Sequence, residues 1–93
     1  MSTFTIMATK ANPDRAAAAG MNPGSFQVSH WMKGEDGLPV NLHKLDAWLP
    51  SMEDAVQWVA NRYPRAYVTK IRTGPDGKQV VVSYEAPMSE LPK

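Results

Sequence analysis

The sequence predicts a small α+β fold: an antiparallel sheet of about four strands with one central helix on one face, in the order ββαββ. Three observations carry this. Ser51 to Tyr63 is a capped amphipathic stretch, two segments near the start alternate with a period of two, and Gly74-Pro75-Asp76-Gly77 separates two β-rich segments.

Ninety-three residues make one domain, 1–93, with a small core, because a chain of this size buries only about 60–65% of its unfolded surface. A 43% hydrophobic and 20% charged composition is that of a folded chain. The lack of cysteine excludes a disulfide framework and a thiolate site. No apolar run approaches the ~18 residues of a membrane span, so no membrane partner is expected. The start, MSTFTIMATK, lacks the basic and long apolar blocks of a signal peptide. The expected location is the cytoplasm.

Thr3 to Lys10 sets Phe4, Ile6 and Ala8 on one side and Thr3, Thr5, Met7 and Thr9 on the other, a half-buried strand. Ala11 to Gly24 reads as a surface loop with room for one helical turn, capped by Asn12, started by Pro13 and ended by Gly20. Ser25 to Lys33 alternates again: Phe26, Val28, His30 and Met32 form the core face, leaving Trp31 and Lys33 outward. Gly34 to Gly37 is a turn signal. Leu38 to Leu42 is expected as a third strand, at an edge because Pro39 cannot donate to a ladder. Asn41 to Pro50 carries Leu42, Leu45, Trp48 and Leu49, apolar enough to pack beneath the helix entry, with an ambiguous secondary structure.

Ser51 can cap the helix, and Glu53 and Asp54 suit the positive end of its dipole. Met52, Ala55, Val56, Val59 and Tyr63 share one face, Trp58 sits at its edge within reach of Arg62, and Pro64 ends the run. After it, a hairpin over Ala66 to Glu85 is expected with a four-residue loop, pairing Ile71 with Val80. That register segregates Tyr67, Thr69, Ile71, Val80, Val82 and Tyr84 from Val68, Lys70, Arg72, Val81 and Ser83. A three-residue loop would instead mix Lys70 and Arg72 with Val80, Val82 and Tyr84 on one face, so the four-residue loop is expected. The tail, Ala86 to Lys93, holds two prolines and is expected to fray.

The residues point to binding rather than catalysis. His30 and His43 stand thirteen apart with no cysteine or paired carboxylate motif, so neither reads as a metal ligand. No nucleophile motif or phosphate loop is present; no cofactor and no catalytic residue are expected. The net charge of +1 hides an asymmetry: Arg62, Arg65, Lys70, Arg72 and Lys78 cluster against one acid, while Glu35 to Asp54 is mostly acidic. With Trp31, Lys33, Lys70 and Arg72 facing away from the helix, and Lys78 extending them, the candidate partner-binding residues form a basic-aromatic surface. Trp31 there either stacks on a partner or packs against Val40, Leu42 or a loop.

The ββαββ plan, the MSTFT start and Asn22-Pro23-Gly24-Ser25-Phe26-Gln27-Val28 leading into a strand resemble small phage anti-CRISPR proteins. These inhibit type I-F CRISPR surveillance complexes, and several use a sheet with one or two helices. The resemblance implies a viral, non-enzymatic inhibitor acting in the host cytoplasm. Its partner would be a host CRISPR protein–RNA complex, whose target DNA recognition it blocks, with RNA or DNA phosphates as candidate contacts. No site residue carries over from that family. The alternative is a small nucleic-acid-binding module using the basic-aromatic sheet face, which the near-neutral charge argues against. A third class is a structural or toxin-partner protein that pairs through an edge strand.

Overall fold

The computed structural model describes residues 3–33 and 39–91, with 32–33 and 39–43 as backbone only. Five antiparallel strands, β1 (Thr3–Lys10), β2 (Phe26–Lys33), β3 (Pro39–Leu49), β4 (Tyr67–Thr73) and β5 (Gln79–Pro87), form one sheet in the order β3-β2-β1-β5-β4. The main helix, α2 (Met52–Arg62), connects β3 to β4, and a short α1 (Pro13–Ala18) connects β1 to β2. The α+β class holds, with one strand more than expected.

Ser51 caps α2 by accepting from the Asp54 N–H at 3.1 Å, and Tyr63 closes the other end, donating its N–H to the Val59 carbonyl. Ala55, Val59 and Tyr63 are buried against Phe4, Ile6 and Ala8 of β1, Val28 of β2, and Val82, Tyr84 and Ala86 of β5. Met52 and Trp58 flank this stripe. Val56, expected on the core face, is 37% exposed. Arg62 lies over the ring of Tyr63, 5.0 Å from its centre, rather than being spent on Trp58.

The loop after β1 does contain a helical turn. Asn12 accepts from the Asp14 N–H at 2.8 Å, and Gly20 takes a positive φ of 75° past the helix end. The expected turn at 34–37 lies outside the described residues.

Three expectations are corrected. The third strand does not stop at Leu42 but runs to Leu49, because β3 follows β2 along its length. Asp46 is an extra residue there: Ala47 faces Val28 while Leu45 faces Ser29. This bulge interrupts the period of two that would have marked a strand.

The hairpin register also differs. Gly74 N–H donates to the Lys78 carbonyl at 2.8 Å, so the loop has three residues, not four. Gly77 has φ 79°, the left-handed position such a loop needs. Ile71 therefore faces Val82, not Val80, and Arg72 faces Val81. Val80 is left as an extra residue in β5, and Thr69 is one in β4. The first bulge restores the segregation of faces that a three-residue loop would otherwise spoil; Lys70 and Arg72 still share a face with Ser83 and Val81. Val68 and Tyr67 exchange sides relative to expectation, since Val68 faces Tyr84 and Tyr67 faces Glu85.

The C-terminal stretch does not fray from Ala86. Ala86 is fully buried opposite Phe4. A single 3-10 turn, Met88–Glu90, follows, and Glu90 accepts from the Arg65 N–H at 2.9 Å. Leu91 packs against the core.

Candidate interaction surface

Residues paired across strands share a face of the sheet, so the face away from α2 is laid out in rows. From β4 to β3, one row reads Arg72, Val81, Thr9, Gln27, Trp48, and the next reads Lys70, Ser83, Met7, Ser29, Leu45. A third begins Tyr67, Glu85, Thr5, Trp31. Lys70 and Arg72 are both exposed and line a groove of about 280 Å³ floored by Met7, Thr9, Val81 and Ser83. Bulky cations standing over short polar and thin apolar side chains leave their charged ends accessible.

The five candidate residues do not form one patch. Lys70 and Arg72 are brought together. Trp31 lies on the same face, as expected, half-buried and three strands from β4, a separation of about 14 Å at ordinary strand spacing. Between them Glu85 accepts from the hydroxyls of Thr3 and Thr5 at 2.7 and 2.8 Å, an acid set in the middle of the surface. Lys33 ends β2 opposite Pro39, and its side chain is outside the described residues.

Lys78 is separated from the others. Beyond the hairpin loop it lines, with Lys10, a cleft of about 800 Å³ between the start of α2 and the end of the sheet. Phe26, Met52 and Val56 give that cleft its apolar wall, which explains why Val56 is not sealed into the core. The chain matches no family model, no curated protein and no solved structure. The functional reading rests on the residues themselves.

Sequence reasoning missed three contributors to the open face. Tyr67, 56% exposed, sits in the row of Trp31 rather than among the apolar residues of the hairpin. Trp48 faces Gln27 on the open side instead of packing beneath the helix, where its neighbour Leu49 does so. Arg15 of α1 borders a hollow of about 470 Å³ at the Thr9–Gln27 end, beside the row of Arg72. A bulge two residues before Trp48 sets its side, and no local pattern signals a bulge.

The other notable group of polar side chains is on the helix side. His30 is 5% exposed, and its Nδ1 lies 2.9 Å from both carboxylate oxygens of Asp46. Tyr63 donates its hydroxyl to Asp46 Oδ2 at 2.9 Å. A carboxylate has only lone pairs to offer, which places the imidazole proton on Nδ1. Phe4 meets His30 and Tyr63 edge-on at 6.1 and 5.6 Å. Burial, then the hydrogen bond to Asp46 and its negative charge, raise the Tyr63 hydroxyl above the usual phenol range. Asp46 is thus the acceptor that lets two aromatic polar groups be buried. The bulge supplies it by turning one residue of an edge strand inward.

Proposed function

We propose that this chain is a non-enzymatic inhibitor that binds a host CRISPR protein–RNA surveillance complex through the open face of its sheet, blocking target DNA recognition. The supporting observation is the pairing of Lys70 and Arg72, exposed side by side over a shallow groove on a face that α2 does not cover. Two exposed cations two residues apart on one strand suit successive phosphates or a pair of carboxylates. Tyr67, Trp31 and Trp48 on the same face supply flat surfaces for stacking or for a protein anchor.

The test uses a purified, guide-loaded type I-F complex and labelled target DNA. Stoichiometric loss of DNA binding is expected with the wild-type chain. The doubly reversed variant Lys70→Glu/Arg72→Glu should inhibit at least tenfold more weakly. Undiminished DNA binding at saturating chain concentration would remove the CRISPR assignment.

A second reading, a free-standing nucleic-acid-binding module, draws on the aromatic residues that share the face with these cations. Gel shifts with single-stranded RNA and DNA alone distinguish it, since the inhibitor reading requires the assembled complex.

A further inference from the structure

The strand that carries Lys70 and Arg72 is also an edge. Among the described residues β4 is hydrogen-bonded to β5 alone, and every residue from Tyr67 to Thr73 is exposed. The helix packs against β1, β2, β3 and β5, so the helix-side residues of β4 have little cover: Val68 and Ile71 are each 49% exposed. One face of β4 therefore shows cations and the other shows apolar side chains, with no acid anywhere on the strand. Its outer row of backbone groups is the template on which another strand adds.

We propose that β4 is a docking edge that accepts an extended strand from a protein partner, one that alternates acidic and apolar side chains. This rests on the reading that the Lys70–Arg72 surface is the working one, and it names the chemistry of the partner there. In strand addition the backbone supplies affinity and alternate side chains supply selection. Acidic side chains of the incoming strand would lie beside Lys70 and Arg72 on the open face. Its apolar side chains would cover Val68 and Ile71 on the other.

Charge argues against a second copy as the occupant. An antiparallel β4–β4 pair would gather four cations on one face, and like charges placed opposite one another across strands are destabilising. A nucleic acid would leave Val68 and Ile71 uncovered.

The probe is a capped peptide alternating glutamate and valine and long enough to span β4, with a lysine–valine peptide as its counterpart. Binding of the acidic peptide should shift and slow the exchange of amides within Tyr67–Thr73, read by NMR, and the basic peptide should bind at least tenfold more weakly. Ile71→Glu, with Val68→Glu as a second variant in case the first misfolds, should weaken the acidic peptide at least tenfold. Both leave Lys70 and Arg72 in place. The proposal is overturned if saturating peptide leaves β4 exchange unchanged, or if sedimentation shows a dimer that Ile71→Glu dissociates. Single-stranded nucleic acid protecting the β4 amides in place of the peptide overturns it as well.

The surveillance-complex assay separates the two readings. If Ile71→Glu inhibits like wild type while Lys70→Glu/Arg72→Glu does not, the open face stands and the docking edge falls. If the peptide docks on β4 but the wild-type chain leaves target DNA binding intact, the docking edge stands and the inhibitor reading falls.

Discussion

The hydroxyl of Tyr63 donates to Asp46 at 2.9 Å, tying the C-terminal cap of α2 to the bulge in β3. Tyr63 is 1% exposed, so water offers no substitute partner. Tyr63→Phe removes the donor and leaves His30 to hold Asp46 alone. A hydrogen bond to a carboxylate contributes about 1.5–3 kcal/mol, and that loss should appear as a lower urea midpoint with an unchanged slope. Equal midpoints would mean that the bond does not form in solution.

The same residue predicts an alkaline limit. Tyr63 and Tyr84 both have hydroxyls raised above the ordinary phenol value of 10.0, chiefly by burial. Each therefore keeps its proton to higher pH in the folded chain than in the unfolded one. Their contribution is constant below about pH 10 and falls as pH rises beyond it, by up to about 1.4 kcal/mol per pH unit for each group. Chemical denaturation at stepped pH should show Tyr63→Phe losing less stability than wild type above pH 10, and parallel curves there would refute the assignment.

Val59 tests the core. It is 1% exposed and packs at the middle of the helix stripe. Val59→Asp places an unpaired carboxylate there, at a cost of several kcal/mol against a total stability of about 5–10 kcal/mol. The variant should lose its cooperative thermal transition. A wild-type melt would place the core elsewhere.

The hairpin predicts a specific set of cross-strand contacts. Backbone NOEs should join Ile71 to Val82 and Arg72 to Val81, with Val80 and Thr69 lacking a direct opposite. Contacts of Ile71 with Val80 would instead restore the four-residue loop.

Salt separates the kinds of partner available to the open face. If Lys70 and Arg72 each neutralise one phosphate, the logarithm of affinity falls with that of salt at a slope of about −1.8. That amounts to roughly a tenfold loss for a fourfold rise in salt. A protein partner should respond less to salt and more to Trp31→Ala. Lys70→Glu/Arg72→Glu should keep the wild-type melting temperature, because both side chains are exposed, while weakening the partner at least tenfold, about 1.4 kcal/mol.

The parts legible in the sequence were those governed by a local rule. Ser51 and Pro64 bracket α2 through capping and through the missing proline N–H. Strict alternation put Phe4, Ile6 and Ala8 inward and Trp31 outward, and the structure agrees. What escaped was each place where one extra residue changes phase. Asp46 hid the length of β3 and the side of Trp48, and Val80 hid the loop length while preserving the outward direction of Lys70 and Arg72. Proximity in sequence groups Lys78 with those cations, but the hairpin end carries it to the helix-side cleft. The Asp46 cluster had one visible trace, a lone acid amid Leu42, Leu45, Trp48 and Leu49. Composition alone does not show whether such an acid turns in or out.

The order β3-β2-β1-β5-β4 puts the earliest strand in the middle, flanked by one early neighbour and one late one. Thr3 meets Pro87 across that seam, so the ladder that completes the core closes a loop spanning nearly the whole chain. During synthesis, β1 to β3 and α2 emerge able to form only a half-sheet, with one side of the central strand unclaimed until β5 leaves the ribosome. Closing so long a loop carries an entropic cost before its contacts form, and folding dominated by such distant pairing is slow. Until β5 emerges the nascent chain therefore carries an open seam of its own, and any binding strand that arrives early competes with β5 for the same row of backbone groups.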